Sequence, residues 1–313
     1  MKLVISLATR GRPAQLADTI AKSLANWASP ETVVMVGLDS DDADTLNWLS
    51  QYSPHAWFVG PAGPRVIFDV REREDTIAAK WNRALAIPAD LYLVAADDDP
   101  YITPGYDLKL LEAAQRFPDG IGVVYGRMAN ASFSGVVAPT LKMTQKLGHI
   151  FPEYFPYWFV DHWLDDIVRM IGRISFADVA TDQSRAGRTQ EMREPAWWAT
   201  FYDAAFLVRR KIAHDILIGP DFDGPDWNKH LLAAQAPLIE HRSRWINDQV
   251  RGNAKGLEWQ SRLSLKDERY QRLKAKAQAL VPAFLEGMDA AEAQRFREVL
   301  LVPDTITALP RVG

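Results

Sequence analysis

The run Asp90-Leu91-Tyr92-Leu93-Val94-Ala95-Ala96-Asp97-Asp98-Asp99-Pro100 decides how this chain folds. Residues 91–96 carry no charge and no polar alternation, which marks a strand buried on both faces, the kind found in parallel sheets covered by helices. Three carboxylates at its end repel one another and raise one another's pKa, so their company needs an offsetting charge. A hard divalent cation, Mn²⁺ or Mg²⁺, meets that need, because it takes oxygen ligands, commonly one or two protein carboxylates, and completes its shell with phosphate oxygens and water. Asp97 and Asp99 have D-x-D spacing and are the candidate metal ligands if the backbone stays strand-like; a turn would instead present Asp98 and Asp99.

Working outward, the same unit recurs. Leu3 to Ala8 is an apolar run, followed by a polar turn and by Pro13 at a helix start, with Leu16, Ile20, Ala21 and Leu24 at helical spacing. Thr32 to Leu38 reads as a second buried strand ending in Asp39-Ser40-Asp41-Asp42, a helix-capping sequence. Residues 54–72 are less regular, with a short strand near Ala56 to Val59 and a loop holding Pro61, Gly63 and Pro64. A helix capped by Asp75 follows, then the aspartate-ended strand, a helix near Tyr106 to Gln115, a strand at Ile121 to Tyr125 and a loop-rich stretch with Gly126, Gly135 and Pro139. Residues 156–172 read as an approach loop and an amphipathic helix closed by Gly172. Beyond residue 196 the pattern is mostly helical, including Asp267 to Leu280 and Ala290 to Leu301. Strands alternating with helices predict a mainly parallel, Rossmann-like α/β sheet with right-handed crossovers. Ligands of such sheets bind beyond the strand C-termini, where Asp39 and the aspartate triplet both lie. The expected organisation is a catalytic domain over 1–195 and a helical extension over 196–313 packed on it.

The 313 residues are 48% hydrophobic and 24% charged, the balance of a globular protein. A net charge of -4 with mixed signs leaves no basic stripe to track a phosphate backbone, so nucleic acid is not expected as a partner. The lack of cysteine removes disulfides, thiolate metal sites and cysteine nucleophiles, and suits a reducing, cytoplasmic setting. The first apolar run is too short for a signal segment, and no membrane span is expected. Among eleven tryptophans, Trp158, Trp163, Trp197 and Trp198 either fill the core or offer faces on which sugar rings stack.

Four stretches taken together resemble inverting glycosyltransferases of the GT-A fold, the family-2-like group: Val4 to Pro13, Val36 to Asp42, Lys80 to Leu85, and Ala96 to Gly105. The likeness covers about the first 125 residues well and the next 60 loosely. It implies that Thr9, Arg10 and Asp39 hold the base and ribose of a nucleoside-diphosphate sugar, expected to be uridine-based. It further implies that Asp97, Asp98 and Asp99 hold the cation and diphosphate, Asp98 on the nucleotide side. Lys80 and Asn82 are similar to the family's segment near the donor, although that segment's usual glycine is missing here.

The resemblance also implies a catalytic base on or before a later helix, and Asp165, Asp166 and Asp161 are its candidates in that order. On a helix Asp161 and Asp165 share a face, while Asp166 turns roughly 100° away from Asp165. Family members often add a histidine to the metal shell; after Phe176 to Thr181 this chain has Asp182 and Gln183 instead, leaving His162, His214 and His241 elsewhere. The expected activity is metal-assisted transfer of a hexose to a hydroxyl acceptor with inversion, the acceptor being unknown and soluble or delivered by a partner. A sugar-phosphate nucleotidyltransferase would want a glycine-rich, lysine-containing loop where Ala8 to Pro13 has one glycine. An inactive scaffold of the same fold is the third reading. Arg185 to Arg193 are polar and aperiodic, and either close over the site or simply connect.

Overall fold

The computed structural model describes residues 1–51, 59–60, 63–127, 135–182, 194–253 and 267–301. Its frame is a seven-stranded sheet. Strands β1 (Leu3–Ala8), β2 (Val33–Asp39), β5 (Val66–Arg71) and β6 (Leu91–Ala96) run parallel, and β8 (Val137–Pro139), β7 (Val123–Tyr125) and β9 (Ile174–Phe176) extend the far edge in the order β5-β2-β1-β6-β8-β7-β9. β8 is antiparallel to both β6 and β7, so the sheet is mixed at this edge. A two-residue ribbon, β3 (Val59–Gly60) with β4 (Gly63–Pro64), stands apart.

The predicted alternation holds through the first half. Helix α1 (Pro13–Asn26) follows β1, α2 (Ala43–Gln51) follows β2, α3 (Ile77–Asn82) precedes β6, and α4 (Tyr106–Ala114) follows it. β1 lies between β2 and β6, and all six of its residues are buried. Asp42 caps α2 by accepting from the Thr45 amide at 3.2 Å. Two readings need correction. Residues 66–71, read as irregular, form the full edge strand β5; the part of the expected strand before Val59 lies outside the described residues. The cap of α3 is Thr76, which accepts from the Ala79 amide, while Asp75 reaches Arg272 and Lys276 at 3.0 Å each. Arg185 to Arg193 likewise lie outside the described residues.

The second half is helical: α5 (Leu141–Leu147), α6 (Val160–Met170), α7 (Pro195–Ala204), α8 (Phe206–Ile218), α9 (Trp227–Gly252), α10 (Glu268–Phe284) and α11 (Ala290–Leu300). One buried apolar cluster runs from the sheet (Tyr92, Val94, Val123) through α6 and α7 to Leu300, crossing the expected boundary near 195. Trp163, Trp197 and Trp198 are buried in it, which answers the question of their role in favour of packing. No helix among the described residues is long and apolar enough to cross a membrane.

Candidate functional site

Three adjacent strand ends build the site. Parallel pairing of β2, β1 and β6 in register brings Asp39, the Thr9-Arg10 turn and the aspartate triplet to one edge. Asp39 is buried, and its carboxylate accepts from Lys80 Nζ and from Arg10, both at 2.9 Å. Lys80 also donates to the Thr9 carbonyl at 3.1 Å; burial pushes its pKa down, and the Asp39 carboxylate works against that shift. Arg10 extends to Asp41 at 2.6 Å. The close seating of Lys80 depends on Gly37, where an added Cβ would fall 2.5 Å from Lys80 Cγ. Arg83, which the sequence reading did not single out, is buried and donates to the carbonyls of Leu38 and Asp69 at 3.0 Å, locking the ends of β2 and β5 together.

The triplet splits into an inner and an outer part, because the chain turns at once after β6. Asp97 is fully buried: its carboxylate takes the Thr9 hydroxyl at 2.5 Å and pairs with Arg12, and its carbonyl accepts from Thr19 at 2.7 Å. Burial raises its pKa. Asp98, half-buried, shares Arg12 at 3.1 Å. Asp99 is also half-buried, and among the described residues no cation pairs with it. Burial, then the charges of Asp98 and Asp97, push its carboxyl up to about 6. The turn therefore leaves Asp98 and Asp99 outermost, whereas strand alternation would have grouped Asp97 with Asp99.

Asn82 does not join this cluster. Its amide oxygen accepts from Ile150 and Phe151 and its amide nitrogen donates to the Phe151 carbonyl and Glu153, so its bonding capacity is spent on pinning the 150–153 loop.

The three candidate bases on α6 fare differently. Asp166 is fully buried and pairs with Arg209, itself fully buried, at 2.9 Å; the Tyr202 hydroxyl donates to it, and burial raises its pKa. Asp165 is buried and takes Arg169 on both oxygens at 2.8 Å and Arg242 at 2.9 Å. Asp161 keeps 41% of its side chain exposed. Burial works to raise its pKa, and the His162 ring, 2.9 Å away, overrides that and holds the carboxyl below the ordinary range. The sequence order, Asp165 and Asp166 ahead of Asp161, is therefore the reverse of the order of accessibility.

Two tyrosines outside the sequence candidates are within electrostatic reach of these carboxylates. Burial, then the negative charges of Asp98, Asp161 and Asp99, raise the Tyr157 pKa. The Tyr125 hydroxyl, at the end of β7, is buried with no hydrogen-bond partner among the described residues and feels Asp165 and Asp161. Phe159, the residue before α6, sits at φ 75, a costly conformation for a bulky side chain, and is held there by stacking on Tyr202 at 5.0 Å. Such strain fixes where the first turn of α6, and hence Asp161, begins. A sequence signal for it existed only in the aromatic density of residues 154–163.

No protein-family model and no curated protein matches the sequence. Solved structures do. Residues 1–349 of S. aureus TarS, in complex with UDP-GlcNAc, align over 96% of this chain and 88% of that one with TM-score 0.51 at 15% identity. S. aureus TarS in a longer form aligns over 96% of this chain and 55% of that one with TM-score 0.50 at 17% identity. A mannosyltransferase from Pyrobaculum calidifontis, in complex with GDP-Man and Mn²⁺, aligns over 90% and 87% with TM-score 0.47 at 13% identity. The fold of this chain is the GT-A glycosyltransferase fold.

Proposed function

We propose that the chain is a glycosyltransferase that moves a sugar from a nucleoside diphosphate, uridine-based, to a hydroxyl acceptor with inversion, and that Asp161 is its base. The observation that carries the reading is the division of labour among the carboxylates: Asp39 anchored by two cations at one strand end, Asp98 and Asp99 outermost at another, and Asp161 exposed at the head of α6. Arg12 pairs with Asp97 and Asp98, and among the described residues its charge reaches Asp99 without an ion pair being formed.

The carboxylates of the triplet suit a divalent cation. A carboxyl whose pKa is raised by burial and then by two neighbouring carboxylates is a group a cation would relieve. Asp99 with Asp98 would hold it, and Asp97 would keep the turn in place from beneath. When bound, the ion would neutralise the departing diphosphate. Asp39, Arg10 and Thr9 would orient the nucleoside. Asp161 would take the proton from the acceptor hydroxyl as its oxygen bonds to the anomeric carbon on the face opposite the diphosphate, which leaves with the electron pair of the broken C–O bond.

The deciding experiment is calorimetric titration with uridine and guanosine diphosphates, with and without Mn²⁺, on the wild type and on Asp99→Ala. Uridine diphosphate should bind more tightly with Mn²⁺, and the enhancement should vanish in the variant. Absence of binding by either nucleotide under every condition would sink the reading.

A further inference from the structure

Helix α9 buries one side, formed by Asn228, Leu232, Ala236, Ile239, Ser243 and Asn247. Its other side carries a second pattern. Trp227, Leu231, Ala234, Leu238, His241 and Trp245 succeed one another at alternate spacings of four and three residues, the a/d repeat of a coiled-coil seam. Trp227, Leu238 and Trp245 are 53%, 61% and 58% exposed, Ala234 and His241 are exposed too, and Leu231 is half-buried. One end of the seam has a fixed seat on the bare Cα of Gly172, where an added Cβ would fall 2.6 Å from Leu231 and 3.0 Å from the Trp227 ring. Single exposed apolar side chains need no explanation, but six positions in register along about 27 Å of one helix are not scatter. The two arginines that flank the seam are paired within the chain, Arg242 with Asp165 at 2.9 Å and Arg244 with Glu240 and Glu292 at 2.6 and 2.7 Å. They are therefore committed elsewhere than to the anionic lipid that a bilayer-binding helix grips with its cations.

We propose that this face joins two copies of the chain, their α9 helices running antiparallel about a two-fold axis level with Ala236. In that register the seam matches itself. Trp227 meets the partner's Trp245, Leu231 the partner's His241, and Ala234 the partner's Leu238, so the smallest side chain lies opposite a leucine and an indole opposite an indole at each end. A two-fold interface asks for this, because every position must fit the one it is exchanged with. A parallel pairing would instead stack alanine on alanine and histidine on histidine. With roughly 250 Å² for a whole tryptophan side chain, the exposed fractions of the two rings come to about 280 Å² per copy. The four rings of a dimer would thus hide nearly half of the ~1,200 Å² at which specific interfaces begin, and the exposed Ala234, Leu238 and His241 between them add to it. The pairing does not depend on the transferase reading.

The test is sedimentation of the full chain over a hundredfold range of protein concentration. The wild type should reach twice the mass of one chain. Leu238→Glu should stay at the mass of one chain with unchanged far-ultraviolet dichroism, since the side chain it replaces is exposed. Trp245→Ser, which adds no charge, should lower the association constant by about tenfold or more. Leu108→Glu, at an exposed leucine on α4, should leave the dimer intact. Because the chain has no cysteine, cross-linking can read the register without background. Leu231→Cys mixed with His241→Cys should form a disulfide-linked dimer under mild oxidation, and neither should do so alone, since like positions would stand about 15 Å apart along the helix. A single-chain mass at every concentration, a dimer that survives Leu238→Glu, or cross-linking by either cysteine variant alone would overturn the proposal. So would a monomer that sediments with vesicles of phosphatidylcholine and phosphatidylglycerol in the wild type but not in Leu238→Glu, which would give the face to a bilayer.

Discussion

At the scale of single residues, neighbours in sequence have opposite fates, and environment decides which. Asp165 and Asp166 are adjacent carboxylates on one helix, yet Asp166 is spent on the buried Arg209 of α8 and Asp165 on the partly exposed Arg169 of α6 and Arg242 of α9, while for Asp161, one turn earlier, the ion-pair partner among the described residues is His162. Removing one partner of a buried ion pair leaves the other charge unmatched and costs about 3–5 kcal/mol. Asp166→Asn should therefore lower the denaturant midpoint. Asp161→Asn should leave the midpoint in place and reduce kcat by roughly 10²–10⁴-fold, the usual span for a general base. The pH profile adds a sign. Because His162 holds the Asp161 carboxyl below its ordinary range, the base stays ionised, and the rate should not fall on the acid side until the pH drops below that range. In His162→Ala burial is no longer opposed, the carboxyl pKa rises, and the acid limb of kcat should move to higher pH. An unmoved limb would mean that another group acts as the base.

At the scale of elements, the site depends on how closely two of them approach. Gly37 in β2 lets α3 lie near enough for Lys80 to reach both Asp39 and the Thr9 carbonyl. Gly37→Ala should push the Lys80 stem aside and loosen the Asp39 carboxylate. The measurable result is nucleotide affinity reduced several-fold at unchanged Mn²⁺ dependence, since Asp98 and Asp99 sit on another strand end. Element identity was legible where the pattern was strong: β1, β2 and β6 are uninterrupted apolar runs because helices cover both their faces. β5 was not, since an edge strand with Asp69 and Arg71 mixes charged positions into Val66-Ile67-Phe68-Val70, and its later residues are partly or fully exposed. β8 and β9, three residues each, are too short for any period to register.

At the scale of the whole molecule, the helical second half completes the core rather than hanging from it. Trp198 is fully buried, packs on Phe155 and Phe201, and donates its indole N–H to the Tyr270 hydroxyl at 3.1 Å, so α7 and α10 meet the loop that leads to α6. Trp198→Ala should cost about 3–5 kcal/mol. If the two halves unfold as one unit, far-ultraviolet dichroism and tryptophan fluorescence should trace coincident denaturation curves in both proteins. Two separated transitions would instead support the division at residue 195.

Local pattern by itself determined the alternating α/β class, the strand ends carrying Asp39 and Asp97 to Asp99, and the helix carrying the three further aspartates, because runs of apolar residues and their period depend only on near neighbours. Tertiary structure alone decided which carboxylates remain available. Asp97 sinks because Thr9 and Arg12 arrive from the loop after β1, 85–88 positions away in the chain, and Asp165 because Arg242 arrives from 77 positions away. Burial and ion pairing are set by whatever the fold brings alongside, and a carboxylate's own sequence neighbourhood holds no record of it.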